Sequence, residues 1–151
     1  MEPAEILIGR SKQSDHIAIR VDGRMHPSHV DYWDGNWLIS PIFVRVGGFT
    51  AKIGAGLRSD ELQSFHKQLE RVYAAVEGRA VLSSLENWIE LVVECHGNGS
   101  LTIKATVADD PSMWNTLSFE IEGLDQSDIP AIVAALTEVE ERFPVFGSAD
   151  A

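Results

Sequence analysis

The chain has one cysteine, Cys95, so no internal disulfide can form, and a reducing compartment suits such a sequence. It lacks any apolar run of about 18 or more residues, the length that spans a bilayer as a helix. Its Met1-Glu2-Pro3-Ala4-Glu5 start has neither the basic n-region nor the long apolar stretch of a secretory signal. The expectation is a soluble, cytoplasmic protein with no membrane partner. Basic residues are scarce as well: 12 Lys and Arg against 23 Asp and Glu give a formal net charge of -11 at pH 7. Such a field repels nucleic acid and anionic lipid, and it draws cationic partners at rates that fall with added salt. No nucleic-acid partner is therefore expected. Internal repeats, low-complexity stretches and linkers are missing too, and 151 residues suit one domain, residues 1–151.

What is present is organised around a hairpin, Trp37 to Leu57. A two-residue turn at Gly47-Gly48 sets Val46 against Phe49, Val44 against Ala51, Ile42 against Ile53 and Leu38 against Leu57, which makes one side wholly apolar. Before it lie two strands, Glu5 to Arg10 and His16 to Arg24. A polar connector from Met25 to Asn36 then collects His26, His29, Asp31, Tyr32, Trp33 and Asp34. After it, Ser59 is the expected N-cap of a helix over about 60–76, with Leu62, Phe65, Leu69, Val72, Tyr73 and Val76 on one stripe and Gly78 at its end.

The next strands form a meander whose register is fixed by burial. A three-residue loop, Gly97-Asn98-Gly99, pairs Cys95 with Leu101, Val93 with Ile103, Leu91 with Ala105 and Ile89 with Val107, whereas a two-residue turn would mix apolar with polar positions. Thr116 to Glu122 continues the meander, and an amphipathic helix over about 127–142 tolerates Pro130 in its first turn and stops before Pro144. The tail Val145 to Ala151 is expected to fray. The order of elements predicts an α+β fold: a largely antiparallel sheet of about 7–8 strands in hairpins and a meander, with the two helices packed on its apolar face.

The chemical motifs are weak. Cys95 and His96 are adjacent on a strand and so project to opposite faces, which prevents a thiolate–imidazole pair and makes Cys95 a buried apolar residue. Gly54-Ala55-Gly56-Leu57-Arg58-Ser59 lies between a strand and a helix as a phosphate loop would. Its strand, however, belongs to an antiparallel hairpin, and no ribose-binding acid follows. His26, His29, Asp31 and Asp34 match no zinc or calcium spacing, and Asp109-Asp110-Pro111 reads as turn chemistry. The expectation is no catalytic residue, no metal and no cofactor.

The outward face of the meander is the better candidate. Trp88, Glu90, Val92, Glu94 and His96 alternate there beside Thr102, Lys104, Thr106, Ser118, Glu120 and Glu122. Apolar anchors among carboxylates have the make-up of an interface for a basic protein, although a merely solvated sheet face has the same pattern.

The run Asp31-Tyr32-Trp33-Asp34-Gly35-Asn36-Trp37-Leu38, followed by a strand, a glycine turn, a second strand and the Leu57-Arg58-Ser59-Asp60-Glu61-Leu62 start of the helix, resembles the WapI-like family of bacterial immunity proteins. That family carries an aspartate-containing loop leading to Asn-Trp-Leu and a later Leu-Glu-Pro-Asn-Leu type of motif. Here the second reads Leu85-Glu86-Asn87-Trp88-Ile89, without the proline, and the last helix ends at Phe143-Pro144. The similarity spans about residues 31–144.

The resemblance implies a non-enzymatic inhibitor that protects the producing cell by binding the C-terminal domain of a secreted toxin, often a nuclease. Joined to the charge, it points to occlusion of a basic toxin through Asp31, Trp33, Asp34, Trp88, Glu90, Val92, Glu94, Glu120 and Glu122. Two other classes compete: a small enzyme or ligand-binding domain built on the His26 and His29 loop, and a homodimer or higher oligomer pairing through Trp88 and Val92.

Overall fold

The computed structural model describes residues 2–150, so Met1 and the Ala151 end of the tail lie outside the described residues. The fold is α+β, as expected, and every strand pairing is antiparallel. Ten strands replace the seven or eight expected, and they divide among two four-stranded sheets and one short pair.

The first sheet has the order β1-β2-β5-β6, from Ala4–Ile8 (β1), His16–Val21 (β2), Ile42–Val46 (β5) and Phe49–Ile53 (β6). Between these lie the short pair Gly23–Arg24 (β3) and Leu38–Ile39 (β4), and the helical turn Tyr32–Gly35 (α1) inside the connector expected to be irregular. The count rises because two expected strands each break. His16 to Arg24 splits at Asp22, and the first hairpin strand splits at Ser40-Pro41, where the Ser40 hydroxyl accepts the Leu57 amide at 2.7 Å. A backbone donor that the loop would otherwise strand in the core is thereby satisfied.

The hairpin register is as the parity required. Val46 pairs with Phe49, Val44 with Ala51 and Ile42 with Ile53, while Leu38 bonds to the Leu57 carbonyl at 2.8 Å. The apolar side is buried only toward its base. Leu38, Ile42, Val44, Ile53 and Leu57 are in the core, whereas Val46 is half-buried and Phe49 at the tip is exposed. β2 is covered on both faces, since His16 and Ala18 are buried together with Ile17, Ile19 and Val21, as befits a strand flanked by β1 and β5.

The long helix Ser59–Ala75 (α2) leads into the second sheet, of order β10-β9-β8-β7, from Gly78–Ser83 (β7), Ile89–Cys95 (β8), Leu101–Ala108 (β9) and Thr116–Ile121 (β10). Cys95 pairs with Leu101, Val93 with Ile103, Leu91 with Ala105 and Ile89 with Val107, around the three-residue loop. Gly99 there takes a φ of +88°, a conformation a side chain would strain. A 3-10 turn, Gln126–Asp128, then opens the last helix, Ile129–Arg142 (α3), two residues later than the pattern suggested. α2 packs on β7 and α3, α3 packs on β1, and one continuous apolar cluster joins both sheets and both helices.

Local expectations fail where tertiary partners intervene. Arg58, not Ser59, occupies the N-cap of α2 with an extended backbone, and its amide is received by Glu61 Oε1 at 2.8 Å. The Ser59 hydroxyl turns instead to the buried Asn36 Oδ1, 2.9 Å away. The chain leaves α2 at Val76 in the left-handed conformation, and Gly78 begins β7 rather than ending the helix.

The first residues of the tail are bonded to the connector and to β3. The Asn36 amide group donates to the Phe146 carbonyl at 3.0 Å and its oxygen accepts the Phe146 amide at 2.9 Å. Arg24 meanwhile donates to the Pro144 carbonyl at 2.6 Å and lies over the Phe146 ring. A Cβ on Gly35 would fall 2.9 Å from that ring, so the docked tail depends on glycine there.

Candidate functional site

The connector before the hairpin is held from beneath by one buried cation. Arg58 is 2% exposed. Its guanidinium donates to the Trp33 carbonyl at 2.8 Å, the Tyr32 carbonyl at 2.7 Å and Asp60 Oδ1 at 2.9 Å, and it lies among the rings of Tyr32, Trp33 and Trp37. The planar fork of arginine satisfies three acceptors that would otherwise be dry, which an ammonium could not do in this geometry. The Tyr32 hydroxyl also donates to Asp60, at 3.0 Å.

Asp31 caps α1 by accepting the Asp34 amide at 3.0 Å, and this bond holds its carboxyl below the usual carboxylate range. Asp31 is thus an architectural residue, while Trp33 and Asp34 project outward. His26 and His29 stand exposed and edge to face, with ring centroids 5.7 Å apart.

On the outer face of the second sheet, Glu90, Val92 and Glu94 lie opposite Thr106, Lys104 and Thr102 on β9, and Glu120 on β10 lies opposite Lys104. β7 adds Arg79 opposite Glu94. Glu94 is 3.9 Å from Arg79, and Glu120 is 3.6 Å from Lys104. The acidity of the strands is therefore partly offset within the face itself, and such exposed pairs contribute little to stability. Glu90 keeps only hydroxyl-bearing neighbours across the strands, Ser83 and Thr106, and Glu122 stands exposed just beyond the end of β10.

Trp88 departs from the outward position predicted for it. It lies in the turn before β8, half-buried against the core, with its indole N–H shielded from solvent. Asn87 just before it has a φ of +63°, while the Trp88 carbonyl still receives the Ala108 amide at 3.0 Å. On the opposite parity, Cys95 is buried and its thiol is pushed up by burial, while His96 is exposed beside Thr102, which keeps the two groups apart as the strand geometry demanded.

The connector and the sheet face are joined by concavities that share walls. A recess of about 470 Å³ lies between Trp33, Asp60 and Glu61 on one side and Ser83, Ser84 and Leu85 on the other. Ser83 and Ser84 also line a second recess of about 310 Å³ with Asn87, Glu90 and Met113. Glu90 in turn borders a third, of about 300 Å³, with Val92, Lys104 and Glu120. Of the residues predicted from sequence, Trp33, Glu90, Val92 and Glu120 are thus brought onto one surface, and Glu94 sits at its far margin beside Val92 and Lys104. Asp31, Asp34, Trp88 and Glu122 do not line it.

Three features of this surface are not evident from the strand pattern. Glu61 bridges the start of α2 to the β7–β8 turn, receiving the Leu85 amide at 2.5 Å besides that of Arg58, and burial pushes its carboxyl up to about 7 against those two bonds. Leu85 is exposed in that turn, and Met113 and Trp114 are exposed in the β9–β10 loop. Large apolar side chains inside loops otherwise rich in turn formers were the available sequence signal for the last three.

The model of the Immunity protein WapI-like family matches residues 6–144 of the 151. The chain belongs to this family. The match begins inside β1 and so reaches back beyond the connector through β2. Neither a curated protein nor a solved structure matches the chain.

Proposed function

We propose that this member of the Immunity protein WapI-like family neutralises a cognate toxin in the cytoplasm by occupying the toxin's surface, without chemistry of its own. The observation that carries the reading is the continuous surface from Trp33 across the β7–β8 turn to Glu120, where exposed apolar groups and carboxylates alternate over three adjoining recesses. A partner fitting it is basic, as many nucleases are. The net charge of -11 would speed encounter, and close charge pairs would slow release.

The test uses the C-terminal domain of a large secreted protein encoded beside the gene. The two should form a complex whose association slows with salt. Changing Glu90 and Glu94 together to Lys should weaken it sharply, since two carboxylates would become like charges facing a basic partner. Unaltered affinity would remove the sheet face from the interface.

A further inference from the structure

We infer that the toxin-binding surface is anchored at one end of the second sheet by Trp114, with Met113, Leu85 and Trp33 beside it, and that it fits a protein pocket that is apolar at its centre and rimmed by lysine or arginine. The inference rests on the reading above and assigns that surface its centre. Three loops converge there. The β7–β8 and β9–β10 connections lie at the same end of the meander, since the Ala108 amide bonds to the Trp88 carbonyl at 3.0 Å. Leu85 shares a recess with Trp33, and Met113 shares one with Asn87 and Glu90.

Four large exposed apolar side chains gather at this end, while others, such as Phe49 at the hairpin tip, stand apart. Trp114 is 82% exposed, Leu85 62%, Trp33 54% and Met113 47%. Side chains of this size left outside the core at one place mark an interaction site rather than the scattered apolar residues of any surface, and tryptophan is the commonest kind of residue to dominate an interface.

The loops that carry them are acidic, although Lys52 on β6 shares a recess with Asp109 and Asn115. Residues 30–35, 84–88 and 109–115 contain Asp31, Asp34, Glu86, Asp109 and Asp110 and not one lysine or arginine. Arg58, beneath them, is buried and bonded. On the sheet face farther along, Arg79 and Lys104 offset the glutamates. The complement to an apolar centre within a mainly acidic rim is a basic protein surface with an apolar pocket.

The β9–β10 loop is also fixed in advance of binding. Asp109 accepts the Asn115 side-chain amide at 2.7 Å, Asp110 accepts the Ser112 amide at 2.7 Å, and Met113 is held at a φ of +59°, rare for a non-glycine residue. A tryptophan on a rigid loop loses little entropy when it is buried by a partner.

The experiment titrates the same toxin domain against the unaltered chain, Trp114→Ala, Leu85→Ser and Tyr73→Ser. Tyr73 is an exposed aromatic on α2, about 18 Å along the helix from Glu61, and serves as the control. Trp114→Ala should weaken binding about 30-fold or more, and Leu85→Ser by a smaller factor. Tyr73→Ser should change it by less than about threefold. All three side chains are exposed, and unchanged thermal unfolding would confirm that each variant folds.

Trp114→Ala binding within about threefold of the unaltered chain, which itself binds, overturns the inference and leaves the toxin-binding reading standing. Absence of binding by the unaltered chain overturns both. Sedimentation of the chain alone supplies a further arm: a dimer that Trp114→Ala dissolves would assign this end to self-association and overturn the inference.

Discussion

The Arg58 cluster and the Trp114 end are close to one another and use similar materials, yet they do opposite things. In the first, three aromatic rings, two backbone carbonyls and a carboxylate converge on one guanidinium, and each of its three nitrogens donates to an acceptor within the chain. In the second, the hydrogen bonds are spent on the backbone and on Asp109 and Asp110, while the large side chains point away from all of it. A region whose polar groups are internally satisfied is a scaffold. A region that is internally braced but leaves its apolar side chains uncovered is prepared for something outside.

The contrast can be broken at either side. Arg58→Ala should cost about 3 kcal/mol in urea unfolding, because it strands two carbonyls and a half-buried carboxylate. Arg58→Lys should recover only part of that, since one ammonium cannot reproduce the fork. A smaller loss would mean that water readily enters the cluster.

Asn36→Ala comes next, at about 2–3 kcal/mol, for it removes the partners of Tyr32, Ser59 and both backbone groups of Phe146. Amide exchange should show the residues around Phe146 losing protection first. Uniform loss across the chain would instead make the docked tail part of the global core.

Glu61 gives the connection between the regions a pH signature. Its carboxyl is raised from 4.5 to about 7, so across that window the folded chain keeps a proton that the unfolded chain has released. Stability should therefore fall as pH rises through the window and level off above it. Glu61→Gln should flatten that slope, measured by unfolding midpoints at pH about 5 and about 8. An unchanged slope would assign the dependence to other groups.

Trp114→Ser should have the smallest effect on the fold, within about 0.5 kcal/mol. A larger loss would show that the loop leans on the scaffold after all.

Much of the architecture was legible because one-residue slips are costly in a half-buried sheet. The hairpin about Gly47-Gly48 and the loop Gly97-Asn98-Gly99 could be registered from apolar parity alone, and both registers hold in the structure. The Cys95 and His96 separation follows from the same alternation. Parity fails where the backbone leaves the strand conformation. Trp88, after Asn87 at positive φ, is half-buried against the core, and a hydroxyl with an acceptor at Asn36 leaves the helix cap to Arg58 instead of Ser59.

By itself, the sequence determined the antiparallel pairing within each hairpin, the two long amphipathic helices and the sign of the field, since these depend on period, turn chemistry and charge that neighbours along the chain supply. Only the tertiary structure decided that the strands divide into two sheets, that Arg58 and Asn36 bind the connector and the tail into one buried network, and that Trp33, Leu85, Met113 and Trp114 meet at one end. Those outcomes depend on groups far apart in sequence, up to 110 residues between Asn36 and Phe146, and on which of several available partners lies near enough to satisfy a group that has left water.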